Sequence, residues 1–154
     1  MDVVVRSWLE MSRAELDDIF RAAPTGTPPQ GEMEGTVIIT GTRLSHFLAI
    51  LVRTLVWQGK VFDMSAQPHN GVLVNKITPF SALLVAAKVY RGDSWLDGKE
   101  AIIIDYSKTS FIASKIRDEI REVEPGLFLG KVWYGGTRVF DFALARPGRE
   151  RTVR

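Results

Sequence analysis

The chain has 154 residues, 45% of them hydrophobic, a formal net charge of +2 and no cysteine. That length and composition predict one globular domain around a single core, and the missing cysteines exclude disulfides, thiolate zinc sites and cysteine nucleophiles. The isoelectric point near 9 is a property of the chain end: residues 146–154 hold four arginines and one glutamate, net +3, which leaves residues 1–145 at −1. Basicity confined to a tail, read here as flexible and solvated, argues against a nucleic-acid-binding face. The start MDVVVRSWLEM lacks the basic opening and long apolar run of a signal peptide. Leu44–Trp57 is apolar but interrupted by Ser45, His46, Arg53 and Thr54, and is too short to span a bilayer. A soluble, cytoplasmic protein without stable membrane insertion is the expectation.

Taken in order, Ser12-Arg13-Ala14-Glu15 reads as a capping box, with Met11 and Leu16 placed for a hydrophobic staple. Leu16, Ile19, Phe20 and Ala23 follow at helical spacing and Pro24 ends the run, predicting a helix over 12–23. Residues 24–35, rich in proline and glycine, predict a surface loop. Thr36–Thr40 reads as a strand. Gly41 breaks it, and Thr42 caps an inserted helix over 43–57. That helix is apolar on more than one side (Leu44, Phe47, Leu48, Leu51 and Leu55, then Ile50 and Trp57), so it should be covered on two faces or plug an opening.

From Gly59 the period becomes two. Val61–Ser65 and Val72–Ile77 flank the Asn70-Gly71 turn signal, and Ala82–Tyr90 has one apolar face. Gly92 and Asp97-Gly98 mark the next reversal. Ala101–Tyr106 is apolar on both faces and should lie centrally. Phe111–Val123 has isoleucines at helical spacing, yet fits equally a segment that starts helical and turns extended near Arg117; the mixed form is the expectation. In either form Arg117 and Arg121 share a face, as do Asp118 and Glu122. Leu127–Tyr134 and Arg138–Ala145 flank Gly135-Gly136 as a final hairpin. The predicted fold class is mainly β (α+β). It is an antiparallel meander of about seven or eight strands over 36–145, closing into a small barrel or strongly bent sheet, with an N-terminal helix and one helix after the first strand.

The order strand, inserted helix, then hairpin meander over Thr36–Ala145 resembles the calycin barrels, the lipocalins and fatty-acid-binding proteins. The helix after the first strand is closer to the fatty-acid-binding arrangement. This resemblance implies a barrel that encloses a small apolar ligand. The stretches Asp105–Ser110 (DYSKTS), Arg117–Val123 (RDEIREV) and Pro125–Trp133 (PGLFLGKVW) are also similar to stretches of bacterial proteins without an assigned activity, which implies none here.

The chemistry-bearing residues concentrate in the last third. His46 and His69 have no partners at metal-ligand spacing, and phosphate loops and a serine-hydrolase elbow are absent, so neither metal nor cofactor is expected. In the final hairpin a two-residue turn pairs Tyr134 with Thr137, Trp133 with Arg138, Leu129 with Phe142 and Leu127 with Leu144. Lys131, Trp133, Arg138 and Phe140 then cluster at one end of an apolar face. Asp105 and Tyr106 alternate on a central strand, so one should point inward, with Arg117 or Arg121 as the partner for a buried aspartate. The RDEIREV run is self-complementary in charge and reads as an ion-pair network tying this segment to the sheet.

Three functional readings follow. The first is a binder of a small apolar or amphipathic ligand: Arg117, Arg121, Lys131, Trp133 or Arg138 would hold an anionic head group, Phe62, Leu129 and Phe142 would line the cavity, and the inserted helix would cover the entrance. The second is a cofactor-independent isomerase, cyclase or decarboxylase using Tyr106 with Asp105 or Glu119 as acid–base pair. The third is an interaction module that docks a partner, or a second copy in a homo-oligomer, through the apolar helix or basic tail.

Overall fold

Alternation of side chains along antiparallel strands sorts this sequence into two apolar sets, and the fold buries both. The computed structural model describes residues 1–40, 60–64, 71–75, 86–108 and 113–149. Two helices, α1 (Val3–Trp8) and α2 (Arg13–Ala22), precede eight strands: β1 (Gly31–Ile38), β2 (Lys60–Asp63), β3 (Gly71–Asn75), β4 (Ala86–Asp93), β5 (Glu100–Asp105), β6 (Ile116–Glu124), β7 (Leu127–Tyr134) and β8 (Thr137–Ala145). Each pairs antiparallel with the next, and β1 pairs with β2 through its first residues and with β8 through its last, which closes the sheet into a barrel.

The strand directions define two ends. At one, β1, β3, β5 and β7 finish and β2, β4, β6 and β8 begin, with the tight turn Gly135-Gly136 between the last two; at the other lie the turns 94–99 and Pro125-Gly126. The predicted inserted helix 43–57 lies outside the described residues, as do His46 and His69.

Inside the barrel pack Met33, Phe62, Val89, Ile102, Ile104, Tyr106, Ile120, Phe128, Val132, Phe140, Phe142 and Leu144. On the outside, Ile38, Ala101, Ile103, Leu127, Leu129 and Ala143 meet Val5, Trp8, Leu16 and Phe20 of the two helices. β5 is thus buried on both faces, as its unbroken apolar run requires. In α2, Ser12 Oγ accepts from the Glu15 amide and Glu15 reaches back to the Ser12 amide at 2.8 Å, the predicted capping box. Leu16 and Phe20 are fully buried, each contributing about 1.5–3 kcal/mol of apolar transfer. α1, which the sequence pattern did not suggest, is capped by Asp2, whose carboxylate accepts from the Val4 amide at 2.8 Å.

Several boundaries differ from expectation. β1 begins at Gly31, inside the segment predicted as loop, because Met33 and Val37 bring apolar side chains to the inner face at period two. β4 runs through Gly92 to Asp93. The described part of Phe111–Val123 takes the mixed form, a 3-10 turn at Ala113–Lys115 followed by β6. The last hairpin keeps the predicted pairs Tyr134–Thr137 and Trp133–Arg138, but a bulge follows, so Val132 pairs with Phe140, Leu129 with Ala143 and Leu127 with Ala145. One extra residue moves every later side chain of β8 to the opposite face from that predicted. Residues 146–149 are not a free tail: Arg149 is gripped by Asp2 and Glu124 and donates to the Pro125 carbonyl at 3.1 Å.

Candidate functional site

Most of the residues singled out from the sequence lie on the outer face of β5–β8, beneath or beside α2. Arg117, Glu119 and Arg121 share the outer side of β6, opposite to Ile116, Asp118 and Ile120. Arg121 is 1% exposed. It donates twice to Asp97 (2.6 and 2.7 Å) and once each to the carbonyls of Phe20, Lys99 and Glu100 (3.0, 3.1 and 3.0 Å), with its guanidinium 4.4 Å from the Phe20 ring. The hydrogen bonds from Arg121 hold the Asp97 carboxyl below its usual range. The Phe20 carbonyl sits in the last turn of α2, so Arg121 also meets the negative end of that helix.

Glu119, fully buried, accepts from Ser94 Oγ (2.6 Å), the Trp95 amide (2.7 Å) and Arg117 Nε (3.3 Å). Arg117 stacks on Trp95, which meets Trp133 edge to face at 5.6 Å. The charged run is a clamp, but not the self-satisfied one its charge pattern suggested: one ion pair, Arg117–Glu119, lies within it. The 94–99 turn and α2 supply Ser94, Trp95, Asp97, Lys99 and Phe20 as partners.

Lys131 and Arg138 form a second outer cluster with Asp17 of α2 and Asp141. Lys131 Nζ lies 3.0 Å from Asp17 and 3.3 Å from Asp141, and Arg138 lies 2.6 Å from Asp17. Burial pushes the Lys131 ammonium down and the Asp141 carboxyl up, outweighing their mutual attraction. For Asp17 burial acts upward, but Arg138 and Lys131 together hold it below its usual value. These two cations, Arg117, Arg121 and Trp133 are therefore elements of helix docking and turn clamping; they do not surround the barrel mouth. Leu129 likewise packs outside, under α2.

The inner face is different. Tyr106 and Asp105 diverge as alternation demands: Asp105 points outward, accepting from Tyr90 Oη at 3.1 Å and from the Ser107 amide at 2.8 Å, while Tyr106 is fully buried inside. Burial acts upward on Asp105, and the Ser107 amide, Ser107 hydroxyl, Tyr90 and Arg117 together bring it below its usual range. The expected pairing of Tyr106 with Asp105 or Glu119 does not occur, because both acids lie on the other side of the sheet. Tyr106 Oη instead donates to Asp118 Oδ2 at 3.4 Å, and Asp118 is 1% exposed.

Phe62 and Phe142 do line the interior, joined by Phe128, Phe140 and Gly130. Asp118 lay in plain view between Ile116 and Ile120. Read at period two, all three fall on one face; the helical spacing of the two isoleucines hid it. Asp118 and Tyr106 stand near the end at which β5 finishes and β6 begins.

A scan against protein-family models and a search of curated proteins found no match. Among solved structures, the chain is similar to a crystallised protein from Thermomonospora curvata, with 19% identity and a TM-score of 0.58 over 96% of this chain and 94% of that one. The likeness is one of fold. Among the described residues no helix is long and apolar enough to cross a membrane.

Proposed function

We propose that the protein binds a small, mainly apolar ligand inside the barrel, with the ligand's polar group meeting Tyr106 and Asp118. The observation that carries this reading is a buried carboxyl and phenol, 3.4 Å apart, beside the apolar cluster of the inner face. Burying such groups is costly unless hydrogen bonds compensate, and a few convergent polar groups among apolar side chains are what a small-molecule site needs to fix a ligand's orientation. Eight strands enclose room for packed side chains or one small ligand, as in the lipocalin-type barrels this chain resembles. The cations once expected to hold an anionic head group face outward and are paired, so the polar anchor moves to Tyr106 and Asp118.

A second reading rests on the same pair. A phenol beside a carboxylate can pass a proton, which suits a cofactor-independent isomerase, cyclase or decarboxylase. Such a role would make Tyr106→Phe lose turnover while keeping ligand affinity.

The test is a titration with the fluorescent probe 1-anilinonaphthalene-8-sulfonate alongside native mass spectrometry of the protein as purified. The wild type should bind one equivalent, and Tyr106→Phe or Asp118→Asn should change affinity by about 2- to 12-fold, the effect of one hydrogen bond. An unliganded wild type that binds no probe would refute the reading. So would binding that both inner variants leave untouched but Arg138→Met abolishes, since that places the probe on the outer face.

A further inference from the structure

The outer cluster beneath α2 holds an amine and a carboxyl in position to react with each other. Lys131 on β7 and Asp141 on β8 are direct cross-strand partners on the outer face, and both side chains are buried. Opposed Cβ atoms in such a pair lie about 4.5–5.5 Å apart, a gap that a lysine arm joined to an aspartate carbonyl can bridge. Lys131 Nζ stands 3.3 Å from Asp141 Oδ2, yet among the described residues neither Nζ nor either Asp141 oxygen makes an aligned hydrogen bond. An ion pair without such bonds recovers little of the cost of taking both charges out of water. Moving one proton from Nζ to the carboxyl removes both charges. Burial favours that transfer at each partner, lowering the Lys131 ammonium and raising the Asp141 carboxyl.

The neutral pair is a nucleophile beside an electrophile. A desolvated amine carries a free lone pair, and a protonated carboxyl, unlike a carboxylate, is open to attack at carbon. Asp17 is the third member. Its Oδ1 lies 3.0 Å from Nζ; burial acts upward on it, but Arg138 at 2.6 Å and Lys131 hold it below its usual range. It is therefore a base within reach of the attacking nitrogen. The same charge makes Asp17 a poor target for the amine, although it is the nearer acid. Phe20, whose ring centre is 5.5 Å from Nζ, belongs to the same helix. Docking of α2 thus brings the base and shuts out water, and fixed contact replaces chance collision.

We propose that Lys131 and Asp141 condense into an intramolecular amide, with Asp17 carrying the proton between them. Nζ bonds to Asp141 Cγ, one Nζ proton passes by way of Asp17 to the departing carboxyl oxygen, and the Cγ–O bond breaks to release one water. No oxidant or co-reactant enters. The product ties β7 to β8 under α2 and leaves the Asp17–Arg138 pair as the charged remainder of the cluster.

Intact-mass measurement of the purified full chain, denatured before ionisation, tests this. The wild type should weigh one water less than its sequence, and trypsin should leave residues 122–138 joined to 139–149 through Lys131. Lys131→Met, or Lys131→Arg if the uncharged side chain prevents folding, should show its full sequence mass. Asp17→Asn should leave a larger fraction of chains uncondensed than the wild type. A wild type that keeps its full mass after prolonged incubation in the folded state, with trypsin cutting after Lys131, would overturn the proposal. So would a water loss that persists in Lys131→Met, which would lie at another aspartate such as that of Asp97-Gly98. A branched peptide joining 122–138 to 14–21 would place the bond at Asp17 and overturn it equally.

Discussion

Replacing Arg121 by methionine should be among the most damaging single changes in the chain. The side chain is 1% exposed and spends its donors on the Asp97 carboxylate and three backbone carbonyls. Methionine keeps the apolar stem but leaves Asp97, itself 10% exposed at the side chain, without its cation. Removing one partner of a buried ion pair costs about 3–5 kcal/mol. For a chain of this size that corresponds to a fall in Tm of roughly 6–20 °C. Arg121→Lys should recover little, because an ammonium cannot reproduce the two-pronged contact with Asp97.

The effect has a pH signature. Arg121 depresses the folded-state pKa of Asp97. A depressed carboxyl adds stability that is present above its unfolded value and lost as pH falls through the folded value. The gap between wild type and Arg121→Met should therefore be full at pH 7 and shrink below about pH 4. Urea unfolding at pH 7, 5 and 3 measures it. A variant within about 1 kcal/mol of wild type at pH 7, or a gap that does not change with acid, would refute the clamp.

Two further outcomes follow from the ends of the chain. Ser12→Ala removes the cap of α2 and should cost about 1 kcal/mol in urea unfolding; no measurable change would mean that packing of Leu16 and Phe20 alone fixes the helix start. Arg149→Ala should cost about 1–3 kcal/mol by removing bonds to Asp2, Glu124 and the Pro125 carbonyl. Arg146→Ala, at an exposed residue, should stay within about 0.5 kcal/mol, and equal effects at 146 and 149 would contradict the anchoring.

What could be read from the sequence was whatever local chemistry decides. The Ser12–Glu15 box, the Gly135-Gly136 turn and the doubly apolar Ala101–Tyr106 strand each carry their cause within a few residues, and each forms as expected. The start of β1 at Gly31 was not legible, since proline and glycine on both sides read as loop while the pairing that makes it a strand comes from β2 and β8. The bulge in β8 was the costliest miss. Nothing in TRVFDFALA announces it, yet it decides that Phe140 and Phe142 face inward while Lys131 and Asp141 face out. The cations looked like a binding mouth because sequence shows charge without showing which side of a sheet it occupies. Their partners, Asp17 and Asp97, lie on other elements.

The proposed ligand site lies on the inner face, and isoleucine methyl groups report on that face directly. Ile102, Ile104, Ile116 and Ile120 line the interior, whereas Ile38 and Ile103 lie fully buried on the outer face with the helices. Methyl NMR spectra recorded during titration with 1-anilinonaphthalene-8-sulfonate should show shifts concentrated at the four inner residues, and Asp118→Asn should change them. Shifts at Ile38 and Ile103 with the inner methyls still would contradict an interior site.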